Sequence, residues 1–209
     1  IYIESPKRGE RLRLIEAAAL NAREEIQRRT TAAQRRSKTL EWLQKALELE
    51  NFPRRIEAFD VSNLGDTGIV AAMTVHVDGK PLKRDYKRFR MRDQDLRDDY
   101  ASMHQAVYRR LRHFVDGDEK FAPLPDLLLI DGGRTHAATA RAAAEELGLK
   151  LPVFGMVKDD RHRTRALVTP EGREIGIGAN QAVFALIGSI QEETHRSAIE
   201  YQRKLRNEA

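Results

Sequence analysis

The sequence contains no cysteine. That absence excludes a disulfide framework, a thiolate metal site and a cysteine nucleophile, and it fits a reducing cytoplasm. No stretch approaches the ~18 consecutive apolar residues that a membrane span requires, so the chain reads as soluble, with no membrane partner. The opening IYIESPKRGE holds no apolar signal segment, so nothing there marks it for export. It also lacks an initiator methionine, which suggests a piece of a longer protein. Neither sign of charge dominates: 37 Lys and Arg stand against 32 Asp and Glu, a net charge of +5. A polyanionic partner would have to be met by a local basic patch rather than by total charge. Walker A, His-Glu-x-x-His and nucleophile-elbow motifs are missing too. The repeat Ile175-Gly176-Ile177-Gly178 opens no helix after a strand and has no third glycine, so it does not make a nucleotide loop.

What is present suffices for one good-sized core, or a core plus an appendage. Residues 10–50 carry Ala, Leu, Glu, Gln and Arg without internal Pro or Gly, and place Leu12, Ile15 and Ala19, then Leu40, Leu43 and Leu47, at helical spacing. This predicts one long helix or a helix pair, ended by Pro53. Its middle, Arg23 to Lys38, has few large apolar residues and reads as a solvated, arm-like stretch. Beyond it the rhythm changes. Strands are expected over 56–62, 69–77 and 81–91, with Asp78-Gly79 as a hairpin turn between the last two. An amphipathic helix over 98–114 follows, then a buried strand over 124–133, a helix over 134–147 and a second buried strand over 151–157. A small hairpin around Glu171-Gly172 and a closing helix over 180–206 complete the chain. The order suggests a mixed sheet with helices on both faces. The expected division is a helical lead-in over 1–52 and an α/β domain over 53–209.

Two carboxylates stand out. Asp60 interrupts an apolar strand between Phe59 and Val61, and Asp131 ends one after Leu127 to Ile130. A carboxylate in such a place costs several kcal/mol unless it is paired or bound to a metal. If the strands are neighbours, they lie ~4.8 Å apart and both side chains can reach one cation. Oxygen ligands suit Mg²⁺ or Mn²⁺, ions that support phosphodiester hydrolysis. The competing reading makes Asp131 a cap before Gly132-Gly133 and Asp60 an Asx-type turn residue. Six cations (Lys83, Arg84, Lys87, Arg88, Arg90 and Arg92) cluster around Tyr86 and Phe89 with one acid, Asp85. They read either as a solvated strand edge or as a phosphate-tracking surface. A second basic cluster, Lys158, Arg161, His162, Arg163 and Arg165, follows the end of a strand, where open α/β sheets bind ligands. His195 sits mid-helix. Taken alone, such a histidine is more often a surface or core residue than a ligand.

The stretches PKRGE (6–10), FDVSNLGDTGIVAAMTV (59–75), DDYASMHQAVYRRL (98–111), PDLLLIDGG (125–133), PVFGMVKDDRHRT (152–164) and EETHRSAIEYQRK (192–204) together resemble the C-terminal endonuclease half of the UvrC family. UvrC is the incising subunit of bacterial nucleotide excision repair. The resemblance implies a ribonuclease H-like fold with a mixed five-stranded sheet. It implies metal-dependent cutting of damaged double-stranded DNA on the 5′ side of a lesion, with UvrB as partner. On the motifs, the family's catalytic carboxylates fall on Asp60 and Asp131, its catalytic histidine on His195, and a further aspartate on Asp99, beside Asp98. Asp60, Asp131 and His195 are thereby expected to bind the metal, Mg²⁺ or Mn²⁺. Lys83, Lys87, Arg88, Arg90, Lys158, Arg161 and Arg163 are expected to contact DNA. The chain departs from the family at Ser62-Asn63 (commonly Ser-His) and at Arg134-Thr135-His136 (commonly Lys-Gly-Gln). Where an Arg-Asp-Glu run usually precedes the histidine, it has Ile190-Gln191-Glu192-Glu193. It holds no GIY-YIG motif, no Cys-rich region and no room for a tandem helix-hairpin-helix module after residue 209. Other readings are a non-catalytic module that binds DNA or docks a partner, and a free-standing nuclease like endonuclease V.

Overall fold

A computed structural model describes residues 8–63, 69–91, 99–159 and 164–208. Internal contacts divide the chain into two compact units, Ile1–Lys38 and Thr39–Ala209. The first holds the greater part of helix α1 (Glu10–Ala46), which is one long helix and not the helix pair that the composition also allowed. Pairs four residues apart brace its solvated stretch, as where Arg29 bonds Glu25 at 2.6 Å. Leu14, Ile15, Leu20 and Ile26 are exposed on it.

The second unit is an α/β sandwich. Its strands are β1 (Arg55–Asn63), β2 (Ile69–Val77), β3 (Lys80–Pro81), β4 (Lys87–Arg90), β5 (Leu127–Asp131), β6 (Val153–Lys158), β7 (Thr164–Val168) and β8 (Glu174–Gly176). Its further helices are α2 (Asp99–Val115), α3 (Arg134–Glu145) and α4 (Gln181–Glu208). The sheet order is β3-β2-β1-β5-β6-β7-β8, with β4 also paired to β2. β1, β5 and β6 run parallel; the remaining pairs are antiparallel. This is the mixed sheet anticipated. The eight strands among the described residues exceed the five expected because the Glu171-Gly172 hairpin joins the sheet through β6–β7, and because the third expected strand is divided.

That division corrects the reading of 81–91 as one strand. Asp78 and Gly79 both take positive φ, 51° and 71°, as a tight hairpin turn demands. Pro81 then has no N–H to continue the ladder. The chain turns through a short 3-10 segment, Lys83–Asp85, where Asp85 accepts a hydrogen bond from Arg55 Nη1 at 2.7 Å. A part-buried tertiary ion pair thus accompanies the break in the local alternation.

Side-chain alternation sorts the core into two layers. Phe59, Met73, Val75, Leu128 and Ile130 pack under α2 and α3, with Met103, Val107, Ala140 and Ala144. Ile56, Ala58, Leu127 and Leu129 face the other way, against Val183, Ile187 and Ile190 of α4 and Leu40, Leu43 and Leu47. Helices therefore cover both faces, which is why the central strands read as continuous apolar runs. Among the described residues, no helix is long and apolar enough to cross a membrane.

Candidate active site

Strand parity decides which way the acids point. Side chains alternate at period two, so Asp60 shares its face with Ile56 and Ala58, and Asp131 shares its face with Leu127 and Leu129. Both look toward α4. β1 and β5 are parallel neighbours in register up to Phe59↔Ile130, so one further step brings the two aspartates level at the strand ends. Such ends are where ligands of open α/β sheets bind.

Helix α4 closes the site from above. Asn180 caps it, its Oδ1 accepting from the backbone N–H groups of Ala182 and Val183. The buried face continues through Ile187, Ile190, Thr194 and Ala198. Thr194 bonds Thr74 of β2 at 2.6 Å and seats the helix on the sheet. One helical turn apart, Gln191 and His195 then reach the two acids. His195 Nδ1 lies 2.9 Å from Asp60 Oδ2. Gln191 Nε2 donates to Asp131 Oδ1 at 2.9 Å, and Lys158 Nζ donates to Asp131 Oδ2 at 3.0 Å.

One ligand atom from each of Asp60, Asp131 and His195 lies within 4.8 Å of the others. The aspartate side chains are 8% and 5% exposed, whereas His195 is 53% exposed. Two buried carboxylates thus form a floor, with an open imidazole at the rim. Burial, and then the neighbouring Asp131 charge, push the Asp60 carboxyl up to about 6, against the opposing pull of His195 and Lys158. An acid so disfavoured as an anion is one that added positive charge would relieve. Two carboxylate oxygens and an imidazole nitrogen suit Mg²⁺ or Mn²⁺.

A family model described as the UvrC RNase H endonuclease domain matches residues 44–199. The chain belongs to the UvrC family. It is 42% identical to the UvrABC system protein C of Acetivibrio thermocellus, over 98% of this chain and 36% of that protein. It is 40% identical to that of Ruminiclostridium cellulolyticum, over 99% of this chain and 35% of that protein. The chain therefore spans about a third of the length of these relatives. Among solved structures, human ENDOV aligns with a TM-score of 0.44 and 13% identity, covering 76% of this chain and 89% of its own.

In this UvrC-family domain, the structure separates the other anticipated residues. Asp99 begins α2, exposed, and is not in the Asp60–Asp131–His195 cluster. Arg161 and Arg163 lie outside the described residues, as do Asp98, Arg92 and His162. Lys158, expected at DNA, is held on Asp131. The β4 cations divide by face. Arg88 pairs with Ala72, which pairs with Asp60, so Arg88 and Arg90 share the carboxylate face. Lys87 alternates to the other side, its Nζ 4.9 Å above the Phe121 ring. A groove of about 690 Å³ is lined by Lys83, Tyr86, Lys87 and Arg88 and by Glu193 and Arg196 of α4 among others.

Two features went unread in the sequence, one in this site and one on the opposite face of β1. Gln191 is four residues before His195, a spacing that places both on one helix face, but its type carries no chemical flag. Glu57, three residues before Asp60, was a second acid inside the apolar strand. It is fully buried and held by Arg110 in two hydrogen bonds of 2.8 Å and by Arg55 at 3.0 Å.

Proposed function

We propose that the chain is a divalent-cation-dependent DNA endonuclease that hydrolyses the phosphodiester on the 5′ side of a lesion, acting on damaged double-stranded DNA together with UvrB. The observation that carries this reading is the pair of buried carboxylates on adjacent parallel strands, joined by His195 on α4. Membership of an endonuclease family supports it. Residues 53–209 would carry the nuclease and residues 1–52 the lead-in, whose last turns contribute Leu40, Leu43 and Leu47 to the core. The setting is the bacterial cytoplasm, at the nucleoid when the domain acts on DNA.

Asp60 and Asp131 would hold Mg²⁺ or Mn²⁺, with His195 as third ligand or as proton carrier. A bound ion of this kind supplies water activation and stabilises the leaving oxygen. Asp60 fixes the imidazole through Nδ1. If His195 acts as general acid or base, its Nε2 is the atom left to move a proton at the substrate. Lys158 keeps positive charge beside Asp131 and contacts the DNA backbone when that carboxylate is otherwise neutralised. Asp99 tunes or positions the site. Arg88 and Arg90 on the carboxylate face, with Lys83 and Lys87 at the groove and Arg161 and Arg163 beyond Lys158, carry the phosphate contacts.

The test is incision of a lesion-bearing duplex by the full repair complex carrying Asp60→Ala or Asp131→Ala. Each should lose 5′ cutting by more than about 100-fold, the upper range for groups that merely support a metal ligand, while DNA binding persists. Normal incision by either variant overturns the assignment.

A further inference from the structure

We propose that Gln191 is a positioning residue of this site, anchored by Thr164, and that it sets the orientation in which Asp131 meets a divalent cation. The inference rests on the reading of Asp60, Asp131 and His195 as a cation site.

Gln191 is 5% exposed and Thr164 1% exposed. The amide bridges two strand termini, bonding Asp131 at the end of β5 through Nε2 and accepting from the Thr164 hydroxyl, at the start of β7, through Oε1. The polarity of this chain is forced. Only the NH₂ end of an amide can stand against a carboxylate, since the reverse would set two acceptors face to face. The amide oxygen is thereby turned to Thr164, whose hydroxyl must donate. Each buried polar group is satisfied by the next, so the set is rigid.

The two oxygens of Asp131 consequently differ. Oδ1 has a buried neutral partner fixed at its far end. Oδ2 has Lys158, whose side chain is 35% exposed and carries its own charge. Oδ1 is committed to the protein, and Oδ2 is the oxygen whose partner can be exchanged for a cation. Because Gln191 and His195 sit one turn apart, a single rigid helix addresses both acids at once. Groups that hydrogen-bond metal-ligating carboxylates are worth about 10–100-fold in affinity when removed.

Mn²⁺ binding to the chain, followed by electron paramagnetic resonance with the melting temperature measured alongside in chelator, tests this. Gln191→Met and Gln191→Leu, which remove the amide without adding charge, should weaken Mn²⁺ binding by about 10–100-fold. Thr164→Val should weaken it less, and Thr164→Ser, which keeps the hydroxyl, should bind as the unmodified chain does. A purely structural role would lower the melting temperature without moving the Mn²⁺ affinity. If the Gln191 variants do not fold, the Thr164 pair makes the same comparison. Unchanged Mn²⁺ affinity in the Gln191 variants, with loss in Asp131→Ala, overturns the role of Gln191 and leaves the cation site standing. Failure of the unmodified chain to bind Mn²⁺, or full binding by Asp131→Ala, overturns both.

Discussion

Strand β1 buries two acids three residues apart, and the sheet sends them to opposite faces. Glu57, under α2, meets two guanidinium groups: Arg110 grips both oxygens, and Arg55 adds a third bond before passing on to Asp85. Asp60, under α4, meets another acid, and among the described residues its relief is one imidazole and a more distant ammonium. The first arrangement satisfies itself; the second is short of positive charge. A buried carboxylate with both oxygens held by guanidinium groups does structural service. Two carboxylates held together at a strand end keep a site that something else must complete. The contrast shows that a buried acid signals function only when its partners are counted.

Breaking the satisfied side should have the larger effect on stability. Arg110→Met leaves Glu57 with Arg55 alone and should cost about 3–5 kcal/mol, read from urea unfolding. Incision per folded molecule should stay unchanged. A variant that unfolds no more easily would place Glu57 with Asp60 as a group awaiting a ligand.

The unsatisfied side should respond in the opposite direction. The folded-state pKa of Asp60, about 6, stands above its ordinary value of 3.8. The stability linked to its proton is therefore complete below pH 3.8 and lost as pH rises through 6. Above that, the anion burdens the metal-free fold by an amount on the order of a few kcal/mol. Asp60→Asn should thus stabilise the chain at pH 8 in chelator by about 1–3 kcal/mol, while incision is lost. Urea midpoints with and without Mn²⁺ check this. Stabilisation confined to the metal-free state is the expected outcome, and destabilisation there would refute the assigned strain.

The smallest effect is a slope. His76 is buried on the Asp60 face of β2, and burial lowers it from 6.5 to about 4 despite nearby Glu193. Its contribution is complete above pH 6.5 and lost as pH falls through 4, opposite in sign to that of Asp60 over nearly the same window. In Asp60→Asn, where the compensating titration is gone, the melting temperature should fall more steeply between pH 6.5 and 4. Adding His76→Gln should flatten that fall, and an unchanged slope would show that His76 titrates normally.

Much of this was legible beforehand. The long helix followed from a run without Pro or Gly, the buried strands from Leu127–Ile130 and Val153–Val157, and the hairpin from Asp78-Gly79. Asp60 and Asp131 were flagged because an acid is conspicuous in an apolar strand. The break at Pro81 was not read, since a distant arginine decides where Asp85 sits. Gly155 is another such case: a Cβ there would lie 2.4 Å from the Gly132 carbonyl oxygen, so the loop after Asp131 packs directly onto β6. Nothing local to either glycine announces that approach.

The sequence by itself determined the elements, their periodicity and the presence of two acids where acids are costly, because these depend on neighbours along the chain. Only the tertiary structure decided that β1 and β5 are parallel neighbours in matching register, and that α4 lies across their ends. It likewise decided that Glu57 is neutralised while Asp60 is left in want of charge. Those outcomes depend on strand order and on which face each side chain takes. They join residues far apart in sequence, 135 positions for His195 and Asp60, 60 for Gln191 and Asp131, and 53 for Arg110 and Glu57.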